Sequence, residues 1–241
     1  MPGSLKTQAV VLRTMRYGEA DRILRLYTPH RGHVGAIAKG VRRAKSRFGG
    51  RLEPFFHLDL VLYEGRSDLL TVTSAETVES HTRLRGDMRA LEMASRACDA
   101  VGRLFDTPEP HPPVFHLLAN ELGLLDADPA RHATQANQLA FRLKLLLVAG
   151  LTPQLSGCAV CGEREHLAAY SGAAGGVVCG ACEGSGFPLT EDAHTFMVEA
   201  LGRPLAEAPA ADDRALRLAE RAILDTVEHH AHLRLRPALT R

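Results

Sequence analysis

Phe56-His57-Leu58-Asp59-Leu60-Val61-Leu62-Tyr63 is the stretch on which the fold turns. In an extended chain Phe56, Leu58, Leu60 and Leu62 share one face, and His57, Asp59 and Tyr63 share the other. That period of two predicts a strand with one side in a core and one in water. Gly65-Arg66-Ser67-Asp68 predicts a turn into a further strand, Leu69 to Ser74. Upstream, Gln8 to Met15, Arg22 to Thr28 and His33 to Ala38 read as three more strands. Tyr17 to Asp21 and Pro29 to Gly32 are the turns between them. Five short strands with one long connection, Lys39 to Pro54, suit a small closed barrel. The five-stranded OB-fold is the leading expectation, with an SH3-like barrel as the alternative.

The long connection is also the most basic part of the chain. Lys39-Gly40-Val41-Arg42-Arg43-Ala44-Lys45-Ser46-Arg47-Phe48-Gly49-Gly50-Arg51 carries six cations and no acid. The formal charge of the protein is only +1, but it is unevenly spread. Residues 1–51 hold 12 basic and 2 acidic residues, and the remainder holds 17 basic and 26 acidic. A basic N-terminal region on an acidic remainder points to a polyanion-binding module joined to something else. Arginine forks bind phosphate bidentately, and the glycines let the backbone turn towards a phosphate chain. The run therefore reads as a backbone clamp for nucleic acid; a solvated basic loop is the plainer alternative. Phe48 has two uses open to it, stacking on a base or folding back onto the barrel.

From about Leu84 the period changes to that of helices. Met88, Leu91, Ser95, Cys98, Val101 and Phe105 form one stripe, and Cys98 reads as a small core residue. The Pro-rich break Thr107 to Pro113 starts a second helix near Val114. A third runs to about Ala149 with Ala136, Leu139, Leu143 and Leu146 aligned, and Gly150 and Pro153 stop it. Thr190 is expected to cap another helix, and Asp212 or Asp213 a last one through Val227. The organisation expected is α+β and multidomain. An OB-fold domain at residues 1–80 precedes an all-α domain at 81–241, with a cysteine module inserted at 155–188.

That module carries Cys158-x-x-Cys161 and Cys179-x-x-Cys182, separated by 17 residues. Two such pairs at this spacing predict a four-thiolate zinc site. All four positions being protein ligands, the ion holds structure and offers no open position for catalysis. The alternatives are four buried free thiols or two disulfides, and disulfides need an oxidising compartment. Arg13 and Arg16 interrupt any apolar leader after the N-terminus, and no stretch is long enough to span a bilayer. A cytoplasmic protein and zinc are therefore expected. His229, His230 and His232 end the last helix, where histidine suits the dipole, and read as structural. Glu19 and Asp21 read as turn carboxylates. The chain has no phosphate-loop, H-E-x-x-H, G-x-S-x-G or G-x-G-x-x-G motif, so nothing supports a catalytic role.

These pieces resemble RecO, a bacterial family of recombination mediators in DNA repair. The likeness runs through essentially the whole chain. It is strongest in Tyr17 to Leu24, Ala38 to Gly49, Arg51-Leu52-Glu53-Pro54-Phe55 and the paired cysteines. Val41 and Ala44 stand where the family's Gly-Ala-Arg-Arg-Pro-Lys-Ser pattern has Ala and Pro, as in actinobacterial members. Neither position is cationic, so the charge pattern survives. The resemblance implies an OB-fold, a helical C-terminal domain and an inserted zinc module. It implies binding of single- and double-stranded DNA without strong sequence preference, and annealing of complementary strands. It further implies partnership with RecR, contact with the acidic tail of single-strand-binding protein, and loading of RecA onto strands which that protein covers. Lys39, Arg42, Arg43, Lys45, Arg47 and Arg51 become candidate DNA contacts through the match to the basic motif. Two other functions compete: a zinc-dependent nucleic-acid enzyme, and an adaptor whose basic loop binds acidic proteins. Four cysteines with no nearby His-x-Glu argue against a deaminase.

Overall fold

The computed structural model describes residues 3–182, 184 and 186–238, so residues 183 and 185 of the expected 155–188 module lie outside it. Strands β1 (Gly3–Tyr17), β2 (Asp21–Thr28), β3 (Gly32–Ala38), β4 (His57–Glu64) and β5 (Leu70–Glu79) close into a barrel in the order β1-β2-β3-β5-β4. β1 is long enough to serve two neighbours. Its first half pairs with β4 and its second half with β2, both antiparallel, and the pairings meet at Val10. β3 and β5 run parallel, Ala36 beside Leu70 and Ile37 beside Thr71. This closure is the OB-fold connectivity, and the SH3-like alternative falls.

Alternation fills the barrel as the sequence predicts. Ala9 and Val11, Leu24 and Leu26, Ala36, Leu58, Leu60, Leu62 and Val72 form one buried cluster, which Phe48, Leu52 and Phe56 join from the long connection. Asp59 and Tyr63 face outward. Between Val11 and Arg13 the β1–β2 register shifts. The extra residue of this bulge, Leu12, is buried beside Gly102.

The chain packs as two compact units, Met1–Pro129 and Ala130–Arg241. The first joins the barrel to α1 (Thr82–Gly86), α2 (Met88–Leu104) and α3 (Pro112–Ala127). Asp87 caps α2 by accepting the Ala90 N–H at 2.9 Å. The buried face of α2 differs from the expected stripe. It consists of Ala90, Met93, Ala94, Ala97, Cys98, Ala100 and Val101, whereas Met88 is 80% exposed and Ser95 faces water. A stripe traced through large residues overlooks alanine, whose small side chain lets a helix approach its neighbours closely. Cys98 is a core residue as expected, and burial pushes its thiol well above the usual range.

At the boundary a single turn, α4 (Pro129–His132), leads to the helices of the second unit, α5 (Gln135–Val148), α6 (Glu191–Gly202) and α7 (Asp213–Ala231). Thr134, Thr190 and Asp212 cap the three long helices with side-chain oxygens. α5 is buried almost all round, the mark of a central helix. Between α5 and α6 lies a small sheet in the order β7-β6-β8, from β6 (Leu167–Ser171), β7 (Gly176–Cys179) and β8 (Phe187–Pro188).

Candidate nucleic-acid interface and metal centre

The basic connection leaves β3 at Ala38 and reaches β4 at His57, and the first unit holds it at several points. The Asp21 carboxylate accepts the Gly40 N–H at 2.7 Å, and the Arg42 N–H donates to the Ala20 carbonyl at 2.9 Å. The turn between β1 and β2 thus fixes the start of the loop. Arg43 N–H bonds to Gly40 C=O, Ser46 N–H to Arg43 C=O and Arg51 N–H to Phe48 C=O, a series of tight turns. Gly40, Gly49 and Gly50 all have positive φ, the conformation that favours glycine. Phe48 is 2% exposed and Leu52 fully buried in the barrel core, with Val41 packed against it. Of the two uses open to Phe48, folding back onto the barrel is the one observed.

These anchors leave the cations outside. Lys39, Arg42, Arg43, Lys45, Arg47 and Arg51 are all exposed. The Arg47 guanidinium lies 4.8 Å from the centre of the Phe48 ring and donates to the Val72 carbonyl at 3.4 Å. Arg51 donates to the Arg47 carbonyl at 3.4 Å. Among the described residues none of the six forms an ion pair. The only carboxylate in the connection, Glu53, is taken by Arg22 of β2 at 2.6 Å. A run of exposed cations on a backbone fixed from beneath suits a polyanion that approaches from solvent. The sequence pattern exposed the cations but not the fixing role of Asp21. Its signal was a turn carboxylate opposite the start of a glycine-rich loop.

The four module cysteines converge. The sulfurs of Cys158, Cys161, Cys179 and Cys182 all lie within 4.8 Å of one another, and those of Cys161 and Cys179 are 3.7 Å apart. Tetrahedral zinc with Zn–S bonds of about 2.3 Å requires sulfurs about 3.8 Å apart. The set therefore has the size and the soft-donor chemistry of a metal cage, and all five cysteines of the chain are free thiols. Two knuckles build it. In the first, Gly162 N–H donates to Cys158 C=O at 2.9 Å, with Gly162 at φ 81°. In the second, Cys182 N–H donates to Cys179 C=O at 2.9 Å. Ala159 N–H bonds to Val177 C=O and ties the first knuckle to β7. The four thiols act on one another. Backbone N–H groups of Cys161 and Cys179 stabilise the Cys158 thiolate, whose pKa falls to about 6. The Cys179 and Cys161 sulfurs beside Cys182 push its thiol up to about 12, since a second anion is opposed by the first. The four cysteines can hold a metal ion.

The module is tied to α7. Tyr170 and Thr226 share a hydroxyl hydrogen bond of 2.5 Å, and Gly172 N–H donates to Asp225 at 2.7 Å. His230 Nε2 lies 2.7 Å from the Gly172 carbonyl, so this helix-end histidine is a structural contact. His229 lies against Asp225, and His232 ends α7 in the left-handed region.

Barrel, basic loop and cysteine cage together define a class: a multidomain OB-fold protein whose helical part carries a four-cysteine module able to hold a metal ion. The family model described as "Recombination protein O N terminal" matches residues 1–81, and "Recombination protein O C terminal" matches residues 85–237. A protein of Anaeromyxobacter dehalogenans (strain 2CP-C), named DNA repair protein RecO, is 38% identical over 96% of this chain and 93% of its own. One of Rubrobacter xylanophilus with the same name is 37% identical over 91% of this chain and 88% of its own. A third, of Bifidobacterium animalis subsp. lactis, is 42% identical over 72% of each chain. The chain belongs to the RecO family of DNA repair proteins. Among the described residues, no helix is long and apolar enough to cross a membrane.

Proposed function

We propose that this protein is a non-catalytic DNA-binding mediator of recombination in the cytoplasm. Lys39, Arg42, Arg43, Lys45, Arg47 and Arg51 contact phosphates of single- and double-stranded DNA without reading sequence. Residues 1–80 act as the DNA-binding domain. The observation that carries this reading is six exposed cations, none ion-paired among the described residues, on a loop anchored by Phe48 and Asp21. Neutralising two phosphate backbones lowers their repulsion, and base pairing then drives annealing, so no active site is required. With RecR, the protein helps load RecA onto strands covered by single-strand-binding protein. Cys158, Cys161, Cys179 and Cys182 hold one structural Zn2+, which fixes the two knuckles and supplies no chemistry to DNA.

The test is binding and annealing of unrelated sequences across a salt series. Affinity independent of sequence and falling steeply with salt is expected. A flat salt dependence, or strong preference for one sequence, counts decisively against the reading.

A further inference from the structure

The end of the basic connection carries a contact that the six cations do not account for. Phe56 immediately precedes β4 with its ring in the barrel core, and the Arg85 guanidinium of α1 lies 4.8 Å from the centre of that ring. The two segments are also joined through the backbone. The Phe55 N–H donates to the Val11 carbonyl at 2.8 Å, and the Phe55 carbonyl lies 2.8 Å from Nδ1 of the buried His81. Phe55 and His81 both have positive φ, 71° and 47°. A bulky residue in that region is strained and persists only where its surroundings hold it. Here the strained joint fixes α1 against the last residues of the connection. Arg51 stands five residues before Phe56, at most about 18 Å of extended chain.

The segment that begins there is locally cationic within an acidic remainder. Residues 80–90 hold Arg83, Arg85 and Arg89 and one acid, Asp87. All three arginines are exposed, and among the described residues none forms an ion pair. Arg83 is engaged, donating to the Ala127 carbonyl at 3.1 Å. Asp87 accepts the Ala90 N–H, and Asp126 accepts the Leu84 N–H at 3.0 Å, so both carboxylates serve backbone amides. Arg89 stands in the first turn of α2, which holds no acid. A cation there opposes the helix dipole, so its placement costs the helix stability instead of adding to it. Met88 beside it is 80% exposed, so this turn opens to solvent.

We propose that the phosphate track does not end at Arg51 but crosses Phe56 to Arg85 and Arg89, so that one nucleic-acid backbone is held by the loop and by the start of the helices together. The inference rests on the DNA-binding reading and deepens it, adding two contacts and a longer footprint. Arg85 suits the role because its guanidinium is placed over the Phe56 ring while the side chain stays exposed, which gives its charge a defined position. Arg89 suits it because it stands on a capped helix that it does not stabilise. A strand long enough to pass the end of the loop meets both arginines. A shorter one meets the loop alone.

The experiment measures binding of the full-length protein to oligo-dT of about 4 to about 16 nucleotides, the range of single-strand sites, across a salt series. The parent, the Arg85→Gln/Arg89→Gln double variant, Arg85→Lys, Arg89→Glu and the Arg42/Arg43/Lys45→Ala triple variant are compared. Each single-strand phosphate contact contributes about 0.7 to the salt slope, so the double variant should be shallower by about 1.4 on the longest oligomer. With equal affinity at about 1 M salt, that is a loss of about 25-fold at about 0.1 M. The shortest oligomer should bind the double variant and the parent alike. Arg85→Lys keeps the charge and should keep the parental slope. Arg89→Glu should weaken binding of the longest oligomer while raising the melting temperature of the DNA-free protein, since an acid suits the first turn of a helix. A double variant with the parental slope at every length overturns the extension. So does a loss that is equal at all lengths, which would mark a disturbed loop. A double variant that keeps oligo-dT affinity but loses binding of polyglutamate also overturns it, and assigns the arginines to an acidic protein. If the triple variant keeps parental binding at every length, the loop reading itself fails. If the triple variant loses binding and the double variant does not, the loop reading stands and the extension falls.

Discussion

Replacing Arg42, Arg43 and Lys45 together with alanine separates charge from fold. All three side chains are exposed, and among the described residues none makes a side-chain hydrogen bond or ion pair. The anchors, Asp21 to Gly40 and Phe48 in the core, are untouched. Stability should therefore stay within about 0.5 kcal/mol of the parent for each position. Binding should not. Each phosphate contact on a single strand contributes about −0.7 to the slope of log affinity against log salt, so four to six contacts give roughly −3 to −4. Removing three contacts should make the slope shallower by about 2. If the non-electrostatic part is equal at 1 M salt, this amounts to a loss of about 100-fold at 0.1 M. Fluorescence anisotropy with oligo-dT from 0.05 to 0.5 M salt, as assay conditions of about that range, reads both quantities at once. A folded triple variant with the parental slope refutes the clamp, because no other assignment of the six cations preserves the slope while half of them are missing.

Three further outcomes follow from the same geometry. Cys158→Ser should release bound zinc, read by metal analysis, and lower the melting temperature; DNA affinity should change less, because the loop and the cage lie in separate compact units. A disulfide at either pair, or no zinc in protein purified under reducing conditions, refutes the cage. Asp21→Ala leaves the Gly40 N–H without its acceptor and should cost about 1–3 kcal/mol by denaturant titration, with weaker DNA binding at unchanged loop charge. Burial holds the pKa of His57 below the ordinary histidine value, so its contribution to stability is present above about pH 6.5 and is lost as pH falls through the depressed value. His57→Phe should flatten the acid limb of a pH–stability curve, and an unchanged limb would assign that loss to other groups.

Most of the barrel was legible because its signals are local. Leu58, Leu60 and Leu62 alternate cleanly, and the Pro29–Gly32 and Gly65–Asp68 turns punctuate the strands. The parallel contact of β3 with β5 was not legible, since no residue pattern near Ala36 or Leu70 encodes which edge it meets. Cys98, Val101 and Phe105 of the expected α2 stripe are buried, and the rest of the buried face was missed for a physical reason. Alanine carries little hydrophobic signal but packs most closely, and four of the seven buried positions of α2 are alanine. The small sheet of the cysteine module was hidden by composition. Gly172, Gly175 and Gly176 carry no strand signal, yet a Cβ at Gly176 would collide with the Gln154 carbonyl, and at Gly172 with Asp225. The glycines mark close approach, not disorder. The cysteine cluster was legible from spacing alone, because two knuckles need only their own residues to form.

The pattern of anchors explains how a cationic loop stays organised without a ligand. Six like charges in thirteen residues repel one another, and a free loop would spread them. Here the repulsion is opposed from below. Phe48, Leu52 and Val41 sink apolar weight into the barrel, Asp21 pins the first glycine, and Glu53 is consumed by Arg22 instead of neutralising the loop. The cations therefore keep a defined spacing in the free protein, so less conformational entropy would be lost on the proposed binding of DNA. On the proposed reading Phe48 supports binding by being buried, because its ring anchors the loop that carries the cations. Phe48→Ala should consequently cost about 3–5 kcal/mol of stability and weaken single-strand and duplex binding alike. Thermal melts paired with the two binding curves check both effects, and a Phe48→Ala protein of parental stability would remove the anchor from the account.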